Sequence, residues 1–289
     1  MKKGLFLFSL LLLLCGFTPG MGREAPVSFP NAYPLQNRYI EETADRVLRE
    51  IISPGMKESE QVQAAYRWLI ENTFFMDPVG LDIWRYRGSP AERPGYVENR
   101  ALSPLLFGSG SCEDFASALT VLLWRMGIEA QYVAGLTISV NGDFVDHAWT
   151  AAKVEGDWYH LDSQLEQNVL RAGKLTYRYF LKNDRYFLAD HRWGENLCAY
   201  YGNPDNEAQK EILSRWTPPP CASSFPTPAA ETVRLRERPD RAVLERQLAG
   251  ERLAYTQSHG PLPALELDLD PPPVYLDNPN WPSPACAGE

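Results

Sequence analysis

Three residues of this 289-residue chain have the types and order needed for acyl transfer by a thiol: Cys112, His147 and Asp162. A cysteine can attack a carbonyl, a histidine can take up and return the proton, and a carboxylate can orient the imidazole. Cys112 follows Gly108-Ser109-Gly110-Ser111, where a loop gives way to a helical pattern. Ser111 is a natural N-cap, which puts Cys112 in the first helical turn. There the unpaired backbone N–H groups and the positive end of the helix dipole favour a thiolate over a thiol. Each member also has a plainer role. Cys112 could be half of a disulfide, His147 a half-buried strand residue, Asp162 a turn residue, and His160 a competing base. Their order along the chain gives the set its weight: cysteine at a helix start, histidine in one strand, aspartate at the end of the next.

The surrounding elements must bring these residues together. Phe115, Leu119, Leu122 and Met126 fall at i, i+4, i+7 and i+11, one apolar stripe, and Gly127 stops the helix. The period then changes to that of strands at Ala130 to Val140, Phe144 to Val154 and Asp157 to Asp162. Glu155-Gly156 reads as a two-residue hairpin turn. With that turn, Val154 pairs with Asp157, Trp149 lies opposite Asp162, and His147 is diagonal to Asp162 on the same face. Diagonal backbone positions are about 7–8 Å apart, within side-chain reach. A three-residue loop would instead send Asp162 to the opposite face. His160 shares the face of His147 in this pairing. Upstream, Tyr39 to Ile52 and Ser59 to Asn72 read as helices, separated by Ser53-Pro54-Gly55, and a long polar loop with Pro78, Pro90, Pro94 and Gly95 follows. Together these predict an α+β fold.

The runs GSCEDFASAL, RMGIEAQYVAG, DHAW and GDWYHLD are similar to the transglutaminase-like superfamily of cysteine enzymes. The segment YFLKNDRYFLADHRW at 179 to 193 also resembles signal-bearing bacterial members, with less specificity. The resemblance implies a papain-like core, in which a Cys-bearing helix packs on an antiparallel sheet carrying His and Asp. It implies Cys112 as nucleophile, His147 as general base and acid, and Asp162 as orienting group. A thioester intermediate on a peptide or protein amide would follow, passed to water or to an amine. The backbone N–H of Cys112 would serve an oxyanion site, with Trp84, Tyr96 and Asn99 as candidates for the second donor. No cofactor or metal is expected. The three residues read as a triad rather than a three-ligand zinc site, and Asp268 and Asp270 lack calcium-loop spacing. The alternative is a non-catalytic envelope module binding peptide or cell-wall material on the same fold, for which loss of a triad member is the expected mark; here all three are present.

Composition sets the boundaries. Residues 1–22 combine a basic start with an apolar run from Gly4 to Phe17. That run is shorter than the roughly 20 residues a membrane span needs, and it reads as a signal peptide. A secreted, extracytoplasmic protein is expected, tethered to a membrane only if this segment stays attached or Cys15 is lipidated; Leu14 is bulky where a lipidation signal wants a small residue. The net charge of −9 argues against nucleic acid as a partner. After the signal, Cys112, Cys198, Cys221 and Cys286 permit two disulfides in an oxidising setting. The catalytic domain is placed at 37–196. Of 24 prolines, 14 lie in residues 217–289, which predicts a largely disordered tail with one helical island around Glu231 to Leu253. On this reading, removing the tail leaves the domain folded.

Overall fold

A computed structural model describes residues 29–87, 91–194 and 217–262. The expected signal peptide, Cys15, Cys198, Cys286, Asp268 and Asp270 lie outside the described residues.

Two helices open the domain, α1 (Arg38–Ile51) and α2 (Glu58–Asn72). Asn37 caps α1, its side chain accepting from the Ile40 N–H at 3.2 Å. Their apolar faces (Ala44, Val47 and Leu48; Val62, Ala65 and Leu69) are buried in the main core. The stretch expected to be one long loop is more structured than its prolines suggest. A two-residue strand β1 (Phe74–Phe75) pairs in parallel with β2 (Ser109–Gly110), so the residues just before Cys112 are tied to the end of α2. Between them lie the short helices α3 (Trp84–Arg87) and α4 (Tyr96–Leu102), and a π-helical turn at Ser103–Phe107 that ends at Gly108 with φ of 63°.

Helix α5 (Cys112–Arg125) is the centre of the molecule. Phe115, Leu119, Leu122 and Met126 are buried as the periodicity requires, but so are Ala116, Ala118, Val121 and Leu123. The helix is covered by α1, α2 and α4 as well as by the sheet, so more than a single stripe is apolar. Arg125 near its end is held by Asp45 of α1 at 2.8 Å and by the Tyr33 carbonyl at 2.8 Å.

The antiparallel sheet has the order β5-β4-β3-β7, with β3 (Ala130–Ile138), β4 (Phe144–Val154), β5 (Asp157–Leu161) and β7 (His191–Arg192). Val154 pairs with Asp157, and Glu155 and Gly156 both take positive φ, 54° and 98°, the signature of a two-residue hairpin. The ladder matches the expected pairing. Asp162 follows the last strand residue and caps α6 (Ser163–Val169), accepting from the Leu165 N–H at 2.8 Å.

Gly135 in β3 lies opposite His147 and under the Trp149 indole. A Cβ there would sit 2.2 Å from the Arg192 carbonyl oxygen and 2.7 Å from the indole. Gly135→Ala must therefore displace β7 or tilt Trp149. Loss of about 1–3 kcal/mol in denaturant unfolding is expected, with a smaller loss for the exposed Gly142→Ala, where no atom stands within 4 Å and only backbone strain acts.

The tail differs from expectation. Residues 217–262 pack on the domain rather than extending from it. Asp184, the first residue of α7 (Asp184–Phe187), donates its N–H to the Cys221 carbonyl at 2.7 Å, and its carboxylate accepts from the Cys221 N–H at 3.1 Å. β8 (Glu231–Thr232) pairs with β6 (Lys174–Leu175), and Arg67 of α2 meets Glu231 at 2.6 Å. Helix α8 (Arg241–His259) buries Leu244 and Leu248 against Ile40, Val79, Ile83, Trp84 and Leu102. It begins just after Pro239, which ends the extended strap. Proline density was a sound sign of extended chain; it could not show that the extended chain has a groove to lie in, and the disordered tail is corrected for residues 217–262. The expectation for 263–289 lies outside the described residues.

Candidate active site

The N-terminus of α5 carries Cys112, partly exposed and unpaired, so it is not half of a disulfide with the other described cysteine, Cys221. Its turn is tightly built. The Asp114 carboxylate accepts from the Ser111 N–H at 2.7 Å and from the Ser111 hydroxyl at 2.8 Å. Arg100 of α4 meets Asp114 at 2.9 Å and Glu113 at 2.5 Å. Burial pushes the Asp114 carboxyl up to about 6, against the pull of Arg100 and the Ser111 hydrogen bonds.

His147 and Asp162 meet as the hairpin demanded. His147 Nε2 lies 2.5 Å from Asp162 Oδ2, and both side chains are buried. That leaves the Nδ1 side of the ring free of Asp162, and Cys112 lies near enough to His147 to raise the proton affinity of the ring. Burial pushes the His147 imidazolium down, but attraction to Asp162, the hydrogen bond to it and the Cys112 contact outweigh burial and lift it to about 10. Burial would raise the Asp162 carboxyl; the two imidazoles of His147 and His191 hold it well below the ordinary carboxylate range instead. The result is a charged pair in a site where only the cysteine reaches solvent.

His160 is excluded as the base. Its Nε2 lies 2.9 Å from Asp184, and its Nδ1 accepts the Trp149 indole N–H at 3.0 Å. His160, Asp184 and Cys221 are close enough to suggest a metal site. Because the indole only donates, Nδ1 must accept, so the Nε2 lone pair that a metal would need carries the proton given to Asp184. Burial also pushes the Cys221 thiol up, far from thiolate chemistry. This second set of Cys, His and Asp is a structural clamp on the strap.

The candidates for a second oxyanion donor separate in the structure. Trp84 is buried in the apolar cluster beneath α8. Asn99 is buried on α4. The Tyr96 hydroxyl donates to Glu113 at 2.7 Å, next to Cys112, and also bonds Tyr132. Tyr132 went unnoticed in the sequence because it sits inside an ordinary strand pattern. It is buried in β3, and burial first, then the neighbouring Tyr96, Glu113 and Cys112, push that hydroxyl well above its ordinary range. His191 was also missed, although its segment was noticed; its pairing with Asp162 depends on β7 joining the sheet edge next to β3.

Asp162→Asn tests the pair. Residual but strongly reduced turnover is expected, about 10⁴-fold down by the cost of a wrong tautomer in other triads. The pair's contribution to stability has a definite window. His147 is raised in the fold, so its share is full below about 6.5 and is lost as pH rises through about 10. Asp162 is depressed, so its share is present above about 4 and fades as pH falls through the folded value. The melting-temperature gap between wild type and Asp162→Asn should therefore be widest near pH 5–7 by these values and shrink on both sides.

No protein with curated annotation matches the chain. Among solved structures it is similar to a proposed cysteine protease of Cytophaga hutchinsonii, at 20% identity and TM-score 0.33, covering 46% of this chain and 40% of that one. It is similar to a TGase at 14% identity and TM-score 0.33, covering 44% of this chain and 31% of the other. A third is an arylamine N-acetyltransferase of Bacillus cereus described as having a Cys-His-Glu catalytic triad, at 15% identity and TM-score 0.29, covering 43% and 48%. The chain thus spans less than half the length of each. The family model for the transglutaminase-like superfamily matches residues 45–163, from within α1 to the residue after Asp162, so the segment that carries Cys112, His147 and Asp162 is similar to that superfamily.

Proposed function

We propose that the protein is a cysteine acyl-transfer enzyme acting on amide bonds of peptides or proteins through Cys112, His147 and Asp162. The observation that carries this reading is the junction of the three: a partly exposed thiol at a helix start, beside a buried imidazole that a buried carboxylate holds at 2.5 Å. An isolated structural histidine gains nothing from such an arrangement, whereas a nucleophile needs it.

In the proposed reaction the Cys112 sulfur attacks the amide carbonyl while His147 holds the proton on the other side of the developing charge. His147 then passes the proton to the departing amine as the C–N bond breaks, leaving a thioester on Cys112. Water or a second amine attacks that thioester, His147 takes the incoming proton, and the thiolate leaves. Asp162 stays ionised and keeps the ring turned toward the sulfur. The Cys112 N–H, at the first position of α5, has no acceptor within the helix and suits the oxyanion. Residues 1–22 support action outside the cytoplasm, on envelope or extracellular material; no helix of the described residues is long and apolar enough to cross a membrane.

Iodoacetamide labelling tests the site without a known substrate. Fast, selective alkylation of Cys112 below pH 7, lost in His147→Ala, is expected; alkylation no faster than that of a free thiol sinks the reading. Incubation with an amine donor and a protein substrate, reading released ammonia and amine incorporation against new N-termini, separates cross-linking from hydrolysis. The absence of any product with an alkylatable Cys112 would favour the non-catalytic envelope module.

A further inference from the structure

Behind the proposed triad lies a second histidine. His191 is fully buried and enclosed by aromatic rings, with Phe187, Trp149, Tyr179 and His147 at centroid distances of 4.4, 4.9, 5.8 and 5.8 Å. A buried imidazole must have both nitrogens satisfied. Here both face carboxylates: Nε2 lies 3.2 Å from Asp162 Oδ2, and Nδ1 lies 2.7 Å from Asp190 Oδ1. Carboxylates only accept, so the arrangement is complete when each nitrogen carries hydrogen. Asp190 is itself fixed, its other oxygen accepting the Tyr179 hydroxyl at 2.7 Å. The charged or titratable groups around the ring are therefore Asp162, Asp190, Tyr179, His147 and, further off, His160, with Arg178 stacked over Tyr179.

The oxygens of Asp162 divide their work. Oδ1 takes the Leu165 N–H at the start of α6, and Oδ2 takes both imidazoles. A buried carboxylate bonded to one imidazole alone would concentrate its charge on that ring and hold its proton hard. A general acid must give its proton up. We propose that His191, anchored by Asp190 and Tyr179, is a positioning residue that holds Asp162 Oδ2 in place and shares its charge, so that the proton on His147 stays transferable to the leaving amine. This rests on the acyl-transfer reading above. It also gives β7 a function: its pairing with β3 (Thr137 opposite His191) puts the second histidine behind the first.

The chain has only four histidines, so their ring resonances can be assigned by single substitution. NMR titration of the full chain with labelled histidine reads the proton affinity of His147 directly. In His191→Phe, which keeps an aromatic ring but no donor, the alkaline midpoint of His147 should rise by about half a pH unit or more, roughly threefold in proton affinity. His191→Gln, which can still donate to Asp162 without carrying charge, should lie between the two. Asp190→Asn, which leaves the His191 ring but weakens its anchor, should shift the midpoint in the same direction by less and covers the case in which His191→Phe does not fold. A role in packing alone lowers the melting temperature and leaves the His147 midpoint where it was; an unmoved midpoint in folded His191→Gln and Asp190→Asn overturns the proposal. If Cys112 fails to alkylate in the wild type, the acyl-transfer reading fails; if Cys112 alkylates and the midpoint does not move, only the role of His191 fails.

Discussion

Cys112→Ala is expected to abolish turnover while the protein stays folded. Replacing the thiol by hydrogen removes the proposed nucleophile, and in other triad enzymes such a deletion costs about 10⁶-fold, leaving what binding and oxyanion donors supply. The fold should tolerate it. Cys112 is only partly buried, and its turn is held by Ser111, Asp114 and Arg100 rather than by its sulfur. A melting temperature within about 4 °C of wild type corresponds to less than roughly 1–2 kcal/mol for a chain of this size. The variant should also lose the fast iodoacetamide reaction, and full activity in Cys112→Ala would end the catalytic reading. Cys221→Ala gives the contrast: no loss of alkylation at Cys112 and no direct loss of turnover, because Cys221 is buried in the strap with its thiol on the Pro219 carbonyl at 3.4 Å.

Removal of residues 217–289 is expected to cost the domain its fold. Val233, Leu244 and Leu248 are each buried on the domain, and at about 1.5–3 kcal/mol per buried side chain they contribute about 5–9 kcal/mol before chain entropy is counted. That is comparable to the whole net stability of a typical domain, about 5–15 kcal/mol. The truncation also bares Ile40, Ile83, Trp84 and Leu102, an apolar surface fit for aggregation. It breaks the Asp184–Cys221 clamp as well, which is bonded through His160 to Trp149, the ring stacked beside His147. Light scattering and thermal melting of the truncated chain would check this: a soluble monomer melting within a few degrees of wild type would mean that the strap is dispensable. Leu244→Asp is the milder form of the same test. It should lower the melting point strongly by placing a carboxylate in an apolar cluster, while leaving the triad residues in place.

Local sequence determined the parts of the site whose placement depends on short-range rules. The N-cap before Cys112, the apolar spacing of α5 and the Glu155-Gly156 turn are local matters. The turn, by fixing the pleat, placed His147 and Asp162 on one face before any tertiary contact was known. Strand alternation does not tolerate a slip by one residue, so the pairing was either right throughout or wrong throughout. What only the tertiary structure decided depends on distant parts of the chain. Which of two histidines is placed to act as the proposed base follows from the partners each meets: Asp162, with Cys112 nearby, for His147, and Asp184 and Trp149 for His160. Tyr132 and His191 join the site because β3 runs beside α5 and a two-residue strand closes the sheet edge, and neither event leaves a periodic trace. The proline-rich segment shows the same limit most plainly. Composition says that such a chain is extended; whether an extended chain is free or bound depends on the partners it meets, α7 at Cys221, β6 at Glu231 and α2 at Arg236, all distant in sequence and visible only once the domain is packed.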